Sequence, residues 1–300
     1  MLTIFGSIAL DTTRTPFNVK SKILGGAATY SSLAASYFTK CNLVGIVGSD
    51  FPDEYWRVLD NRADTRGVVL DKERKTFHYD SSFDYDLSKR TTNKTELNVI
   101  ENFEPSLPSS YQNSQYVYLA NNDPIQNIKL LNLFSNPKLT ICDTIEFWIK
   151  NKKEEVIEMI KKTQGVIIND DEARMLCNTS NLVKCSKAIK SLGSDFVIIK
   201  KGENGCFLYY EDTLFPFPAY PVEDIVDPTG AGDSFAGAFI GYISNANKID
   251  LITLKEAIIY GNILGSFVVE DYGIQKLLQI SFSDIVDRYN KYKRITSFIN

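Results

Sequence analysis

The chain contains a single histidine, His78, in 300 residues. That scarcity nearly excludes a histidine-dependent catalytic triad or a histidine-rich metal centre, and His78, alone in a strand-like run, reads as structural or as a substrate edge. The five cysteines, Cys41, Cys142, Cys177, Cys185 and Cys206, are odd in number and include no Cys-x-x-Cys pair. Neither a disulfide framework nor a zinc site is indicated, and the cysteines read as small buried apolar residues. Basic charge is not in excess either: the net charge is −4, and lysines cluster only in short pairs such as Lys152-Lys153 and Lys161-Lys162. Such pairs read as solvated helix faces, so no nucleic-acid partner is expected. No apolar run reaches the roughly 18 residues of a membrane span. The first six residues lack the charged start and long apolar core of a signal peptide, so the expectation is a cytoplasmic chain without a membrane partner. No Gly-x-Gly-x-x-Gly follows the first apolar strand, which argues against a dinucleotide-binding oxidoreductase. Internal repeats, linkers and low-complexity segments are absent. What is present, 44% apolar and 23% charged residues, is an ordinary globular composition long enough to bury a full core.

The stretch that organises the rest is residues 226–243, Val-Asp-Pro-Thr-Gly-Ala-Gly-Asp-Ser-Phe-Ala-Gly-Ala-Phe-Ile-Gly-Tyr-Ile. Pro228 fixes its own φ, while Gly230 and Gly232 free the backbone to turn and let a ligand approach. From Phe235 onward Phe235, Phe239, Tyr242 and Ile243 recur at i, i+4, i+7 and i+8, one face of a helix. Ala236, Gly237, Ala238 and Gly241 keep the neighbouring surface small, so that this helix can lie close against a sheet. Glycines at a helix N-terminus leave N–H groups pointing outward with the positive end of the dipole, an arrangement suited to phosphate. Asp233, in the first turn, has two readings: a helix-start carboxylate stabilising by roughly 0.3–1 kcal/mol, or a general base beside a held phosphate. Gly-Ala-Gly directly before it and Asp227-Pro228-Thr229 before that favour the base.

Residues 227–233, Asp-Pro-Thr-Gly-Ala-Gly-Asp, resemble the C-terminal signature of the ribokinase-like, or PfkB, carbohydrate kinase family. The resemblance implies transfer of the γ-phosphoryl group of Mg²⁺-ATP to a hydroxyl of a sugar or nucleoside. Asp233 would be the base, with Gly230, Ala231 and Gly232 holding the phosphoryl group and Thr229 beside the nucleotide. It also implies an α/β fold, a doubly wound, mostly parallel sheet flanked by helices with a small β-sheet lid, as one domain over residues 1–300.

The remaining chain agrees. Leu2–Phe5 is a short strand ending at Gly6, and a loop then presents Asp11, which reads as a ligand edge or as a turn carboxylate. In the family a matching Asp bonds substrate hydroxyls. Gly25-Gly26 opens a helix through Ser36 and resembles the family's Gly-Gly motif at the sugar site; Thr29 stands where many members carry Asn, which leaves the substrate's identity open. Residues 43–47 read as a buried strand and 53–61 as a helix, and alternation of the two argues a parallel sheet. In 66–99, Val68, Leu70, Phe77, Tyr79, Phe83, Tyr85 and Leu87 alternate with polar residues, the mark of half-exposed strands. With residues at about 12–20, they are expected to form the lid or, more blandly, a surface hairpin. Family members in some cases dimerise through this lid, and an exposed edge would permit a homodimer here.

Asn121, Asn122 and Asp143 lie just past buried strands, where open α/β sheets bind ligands. Relatives often continue with Asp-x-Asn-x-Arg and a Trp; here Asp143 and Trp148 remain but the Arg does not, which favours a neutral sugar or polyol. Asn169 and Glu172 read as a capping box, and the family places the same pair near magnesium, chiefly through water. Lys200 could reach phosphate oxygens as a point charge. Relatives pack the turn containing Gly202 and Gly205 on the nucleotide. Residues 254–269 read as an apolar helix carrying Asn262, in a region that in some relatives borders the adenine and a monovalent cation. A nucleoside kinase of the same superfamily, or a sugar- or nucleotide-binding protein without turnover, are the rival readings.

Overall fold

The computed structural model describes residues 1–87 and 89–297. In chain order the first elements are β1 (Leu2–Phe5), β2 (Ala9–Arg14), β3 (Val19–Gly25), α1 (Ala27–Ala35), β4 (Cys41–Gly48), α2 (Asp53–Arg62), β5 (Ala63–Asp71), β6 (His78–Phe83) and β7 (Arg90–Glu96). Next come β8 (Tyr116–Leu119), α3 (Pro124–Leu131), β9 (Leu139–Cys142), α4 (Glu146–Asn151), α5 (Lys153–Lys161), β10 (Gly165–Asn169), α6 (Asp170–Cys177) and α7 (Leu182–Lys190). The last are β11 (Phe196–Lys200), β12 (Cys206–Tyr210), β13 (Thr213–Phe217), α8 (Ala231–Ala246), α9 (Leu251–Val268), α10 (Gln275–Gln279) and α11 (Phe282–Thr296).

The strands form a nine-stranded sheet in the order β13-β12-β11-β10-β9-β8-β1-β4-β5 and a four-stranded sheet in the order β3-β2-β6-β7. From β11 to β5 the large sheet is parallel throughout, and β12 and β13 add antiparallel at one edge. This is the doubly wound sheet that the sequence predicts. Its strands read as continuous apolar runs because both faces are covered: Phe196 and Ile198 enter one core, Val197 and Ile199 the other. The chain leaves β1 to build β4 and β5 on one side, then returns to lay β8 on the other. That reversal opens a crevice beyond the C-terminal ends of β1 and β8, the place where open α/β sheets bind ligands.

The small sheet differs from the expected lid in its membership. Residues 66–71, expected in it, belong to β5 and pair with β4 in the large sheet. Gly67 permits this, because a Cβ there would stand 2.7 Å from the Leu43 carbonyl oxygen. An edge strand is itself half exposed, with Val69 38% and Leu70 45% accessible, so its alternation is indistinguishable from that of a projecting hairpin. Residue 88 of the expected range lies outside the described residues. At the other end, the expected strand over 12–20 is two strands, β2 and β3, and Asp11 lies within β2 rather than in a loop.

Helix α8 also packs differently from expectation. Its small face meets α1 rather than a sheet: a Cβ at Gly237 would overlap the backbone of Ser31, and one at Gly241 would lie 2.9 Å from Ala35 Cα. The bulky face turns to the sheet instead, with Phe239 5.9 Å from Phe196 of β11. Among the described residues α9 is long and apolar enough on average to cross a membrane by length and composition, but Lys255, Glu256 and Asn262 interrupt it, so it is not an unbroken apolar run, and 56% of it is buried inside the fold. It packs along α8, where Gly261 leaves room for Phe235.

Candidate active site

Two helix N-termini converge beside the crevice. The first residue before α8, Gly230, has φ +79°, and the one before α1, Gly26, has φ +94°; neither helix has a side-chain cap. Positive φ at both positions favours glycine. The Ala231 amide is taken by the Pro228 carbonyl at 3.3 Å. Among the described residues the amides of Gly230, Gly232 and Asp233 have no partner, so the turn presents donors and the helix dipole to an anion. A Cβ at Gly232 would lie 3.0 Å from Lys200 Nζ, which brings a cation to the same place. Asp233 is half-buried on the first turn, and its pKa is pushed up to about 6 by burial, which the Lys200 charge opposes and the Asp143 charge reinforces. A carboxylate with that value is mostly ionised at neutral pH and close enough to it to exchange a proton.

On the acceptor side Asp11 is 5% exposed and its Oδ1 has no partner. Burial raises its pKa to about 7, against a hydrogen bond from the Gly26 backbone and with added repulsion from Asp227 and Asp233. Gly25 is required here because any Cβ would collide with the Asp11 carboxylate. Thr29 is fully buried on α1 with its hydroxyl unpartnered, and the next residue, Tyr30, lays its ring against Gly230. Ser31 ties the two helices together, its one hydroxyl proton shared between the Ala27 and Asp233 carbonyls at 2.6 and 3.0 Å. Asn121, past β8, accepts from the Ser7 amide at 3.3 Å through its backbone and leaves its side-chain oxygen free of partners.

Behind the phosphate turn lies a charged cluster. Lys200 at the end of β11 pairs with Asp143 at 2.9 Å. Burial works against its charge, but Asp143, Glu172 and Asp233 together hold its pKa above the usual lysine value. Asp143, expected at the substrate, is 4% exposed and committed to Lys200, to Tyr118 Oη at 3.3 Å and to the Thr144 amide. Asn169 and Glu172 form the expected capping box, with reciprocal bonds of 2.8 and 2.9 Å. Burial and the charge of Asp143 push Glu172 upward. Among the described residues no three Asp, Glu, His or Cys side chains converge as a metal cage. Asn169 Oδ1 and Glu172 Oε2 each already accept a backbone amide, so this pair of hard oxygens fits magnesium only through the ion's waters.

The other expected nucleotide residues make contacts of their own. Gly202 (φ +53°) and Gly205 (φ +77°) shape the turn between β11 and β12, where the Gly202 Cα faces open space. Asn262 donates to the Pro218 carbonyl at 3.2 Å, beside Tyr292, and so fastens the chain after β13 to the C-terminal helices. Thr229 bonds the Asp227 carboxylate through its amide at 2.9 Å and meets Thr13 of β2 at 3.5 Å. His78 bonds the Leu10 carbonyl through Nδ1, a structural tie between β6 and β2.

Sequence reasoning missed three features. Asp227 is fully buried and accepts from the Thr229 and Gly273 amides, holding the turn to the loop after α9. Arg90 of β7 adds positive potential at Asp11, Asp227, Asp233 and Glu172; its place in an alternating polar strand carries no signal. The third is a narrow aromatic slot lined by Phe77 and Tyr79, before and in the small sheet, by Phe147 and Trp148 of α4, and by Asn121 and Asn122 past β8. The side-chain oxygens of both asparagines are buried without partners. A larger cavity, about 300 Å³, lies between the β2–β3 hairpin and residues 271–275, lined in part by Ile23, which pairs with Asp11 across the small sheet, and by Gly273, whose amide holds Asp227.

Comparison with known proteins places this geometry. A family model described as pfkB family carbohydrate kinase matches residues 8–280. A cytidine kinase of Thermococcus kodakarensis is 28% identical over 256 residues, covering 83% of this chain and 90% of that protein. An inositol 3-kinase of Arabidopsis thaliana is 24% identical, covering 92% and 76%. Among solved structures, the nucleoside kinase of Methanocaldococcus jannaschii, an archaeal member of the ribokinase family, superposes with a TM-score of 0.78 at 23% identity over 97% of this chain and 98% of that one.

Proposed function

The chain belongs to the pfkB family of carbohydrate kinases, and from that premise we propose that it transfers the γ-phosphoryl group of ATP to a ribose hydroxyl of a nucleoside. The observation that carries the acceptor is the aromatic slot. Phe77, Tyr79, Phe147 and Trp148 offer flat apolar faces, and the unpartnered oxygens of Asn121 and Asn122 accept from N–H groups. A nucleobase supplies both a face to stack and donors to bond; a bare sugar supplies only hydroxyls. The slot is narrow, so a base enters when the small sheet withdraws from Phe147 and Trp148, and its return closes the site to water. The cytidine kinase and the nucleoside kinase among the similar proteins support this class. The inositol kinase, which spans 92% of the chain, favours the second reading, a neutral sugar or polyol, for which the missing Arg after Asp143 also speaks.

Phosphoryl transfer needs alignment and charge stabilisation more than covalent participation by the protein. Asp11 takes the acceptor's hydroxyls. Asp233 accepts the proton of the attacking hydroxyl, and the amides at the start of α8, with Lys200 beside them, hold the transferred group's negative oxygens. Magnesium bound with ATP near Asn169 and Glu172 supplies neutralisation of phosphate charge.

The test is ADP release by the purified protein with Mg²⁺-ATP across nucleosides, sugars and polyols, with Asp233→Asn in parallel. Turnover of a nucleoside that falls by roughly 10²–10⁴ in the variant is the expected result. Turnover of free sugars or polyols alone overturns the acceptor class. Turnover that survives in Asp233→Asn overturns the base, and ATP binding without any turnover leaves the binding-protein reading.

A further inference from the structure

We infer that the cavity between the β2–β3 hairpin and the segment after α9 is a second ligand site, which takes a small zwitterion with an apolar body. That is the chemistry of a free aliphatic or aromatic amino acid, and its binding fastens the hairpin to that segment. The inference goes beyond the kinase reading and does not depend on it.

The cavity holds about 300 Å³, at the small end of the roughly 300–1,000 Å³ range of small-molecule sites. None of Asp11, Thr29, Asn121 or Asp233 lines it, so it is distinct from the acceptor crevice. Its walls come from different units. Lys20, Ile23 and Leu24 belong to β3 of the small sheet and Tyr55 to α2, whereas residues 271–275 follow α9. Where the lining is buried it is apolar, with Leu24 1% and Ile274 3% exposed. A lining of that kind selects a ligand with an apolar body.

Two side chains of opposite charge line the cavity from the two walls. Lys20 Nζ stands 5.6 Å from the centroid of the Tyr272 ring, and Asp271 accepts the Tyr272 amide at 2.7 Å. Among the described residues neither forms an ion pair, with each other or with a third group. The adjoining charges are satisfied, because Glu270 takes Lys276 at 2.9 Å and Arg288 at 2.6 Å. A solvated lysine alone is ordinary; here a lysine and an aspartate stand unpaired over one apolar floor. A single carboxylate is too few ligands for a divalent cation, and the aspartate repels a bare anion such as phosphate. A zwitterion answers both charges, its carboxylate bonding Lys20 and its ammonium bonding Asp271, with its side chain against Ile23, Leu24 and Ile274.

Such a ligand adds to an existing tie, the 2.8 Å bond between the hydroxyls of Thr15 and Tyr272. The same segment reaches the phosphate turn, since the Gly273 amide bonds Asp227 and Thr229 meets Thr13 of β2. A ligand that binds the joined arrangement better draws the hairpin toward it.

Isothermal titration of the full chain with leucine, methionine and phenylalanine, without ATP or acceptor, tests the site directly. The expected result is saturable binding of at least one of them, weakened at least about 10-fold in Lys20→Met and in Asp271→Asn, the size of one charge-assisted bond. Lys20→Arg and Asp271→Glu, which keep the charges, should retain binding. The decarboxylated amine and the deaminated acid of the same amino acid should each bind at least about 10-fold more weakly. Hydrogen exchange should slow in residues 18–24 and 271–275 when the amino acid is bound. Absence of saturable binding by all three overturns the inference, as do binding unchanged in either charge-removing variant, equal binding of the amine or the acid, exchange unaltered in both segments, or displacement of the amino acid by a saturating nucleoside. Failure of the kinase reading leaves the site standing, because no step of this assay involves phosphoryl transfer.

Discussion

Replacing Asp11 with Asn should make the ligand-free protein more stable and less active. The Asp11 carboxyl is 5% exposed, and burial lifts its pKa from 3.8 to about 7. Each unit is worth 1.36 kcal/mol, so ionising this group in the fold costs about 4 kcal/mol relative to the unfolded chain. The sign follows from proton binding. Between about pH 4 and pH 7 the folded state keeps the Asp11 proton that the unfolded chain has already released. Stability is therefore lost as pH rises through that window, and the full penalty stands above it. Asn has nearly the same shape, its oxygen can still accept from Gly26, and it never ionises. Thermal melts of wild type and Asp11→Asn without ligands, from pH 5 to pH 8, should lie about 3 °C apart at pH 5 and diverge upward. At about 2 °C per kcal/mol for a chain of this size, the variant should melt about 8 °C higher at pH 8. Its kcat/KM for the acceptor should fall at every pH. A variant that melts with or below wild type at pH 8, or a gap that does not narrow toward pH 5, refutes the claim that Asp11 is a strained carboxylate kept for a ligand.

Three further outcomes follow from the same geometry. With Asp233 titrating at about 6, kcat/KM should rise about 10-fold between pH 5 and pH 7; a profile flat over that range would count against Asp233 as the base. Lys200→Met strands the buried Asp143 carboxylate and should cost roughly 3–5 kcal/mol in urea unfolding, part of which Asp143→Asn should restore in the double variant; additive losses would mean the pair is not coupled. Gly237→Val drives a side chain into the Ser31 backbone and should cost roughly 3 kcal/mol through forced separation of α1 and α8, visible as a lower denaturation midpoint; a neutral effect would mean that the two helices are not in backbone contact.

The parts of the fold that were legible in the sequence are those with local causes. The buried strands announced themselves as apolar runs, and the phosphate turn through glycines placed before a helical period. The lid boundary was not legible, because Val68 and Leu70 on an edge strand alternate as Phe77 and Tyr79 do in the small sheet, and only pairing partners tell them apart. The small face of α8 could be read, but its partner could not: α1 lies about 200 residues earlier in sequence, and no period names a long-range neighbour. The same limit applied at the site. Glycine turns near Asp11 and Asp233 drew the eye to both carboxylates, whereas the commitment of Asp143 to Lys200 and the meeting of Phe77 with Phe147 exist only after folding.

The contact between α1 and α8 bears on how such a protein diversifies. Ser31 reaches the Asp233 carbonyl, Tyr30 lies on Gly230, and Gly237 and Gly241 admit the α1 backbone, so the two turns at the helix starts behave as one machined part. Changes inside that part jeopardise the reaction itself. The slot is bounded by Phe77 and Tyr79 and by Phe147 and Trp148, side chains from separate segments that touch none of those glycines. A designer seeking a new acceptor can therefore redraw Phe77, Tyr79, Phe147 and Trp148 as an interchangeable tool head while keeping Arg90, leaving the helix pair as the chuck that holds it.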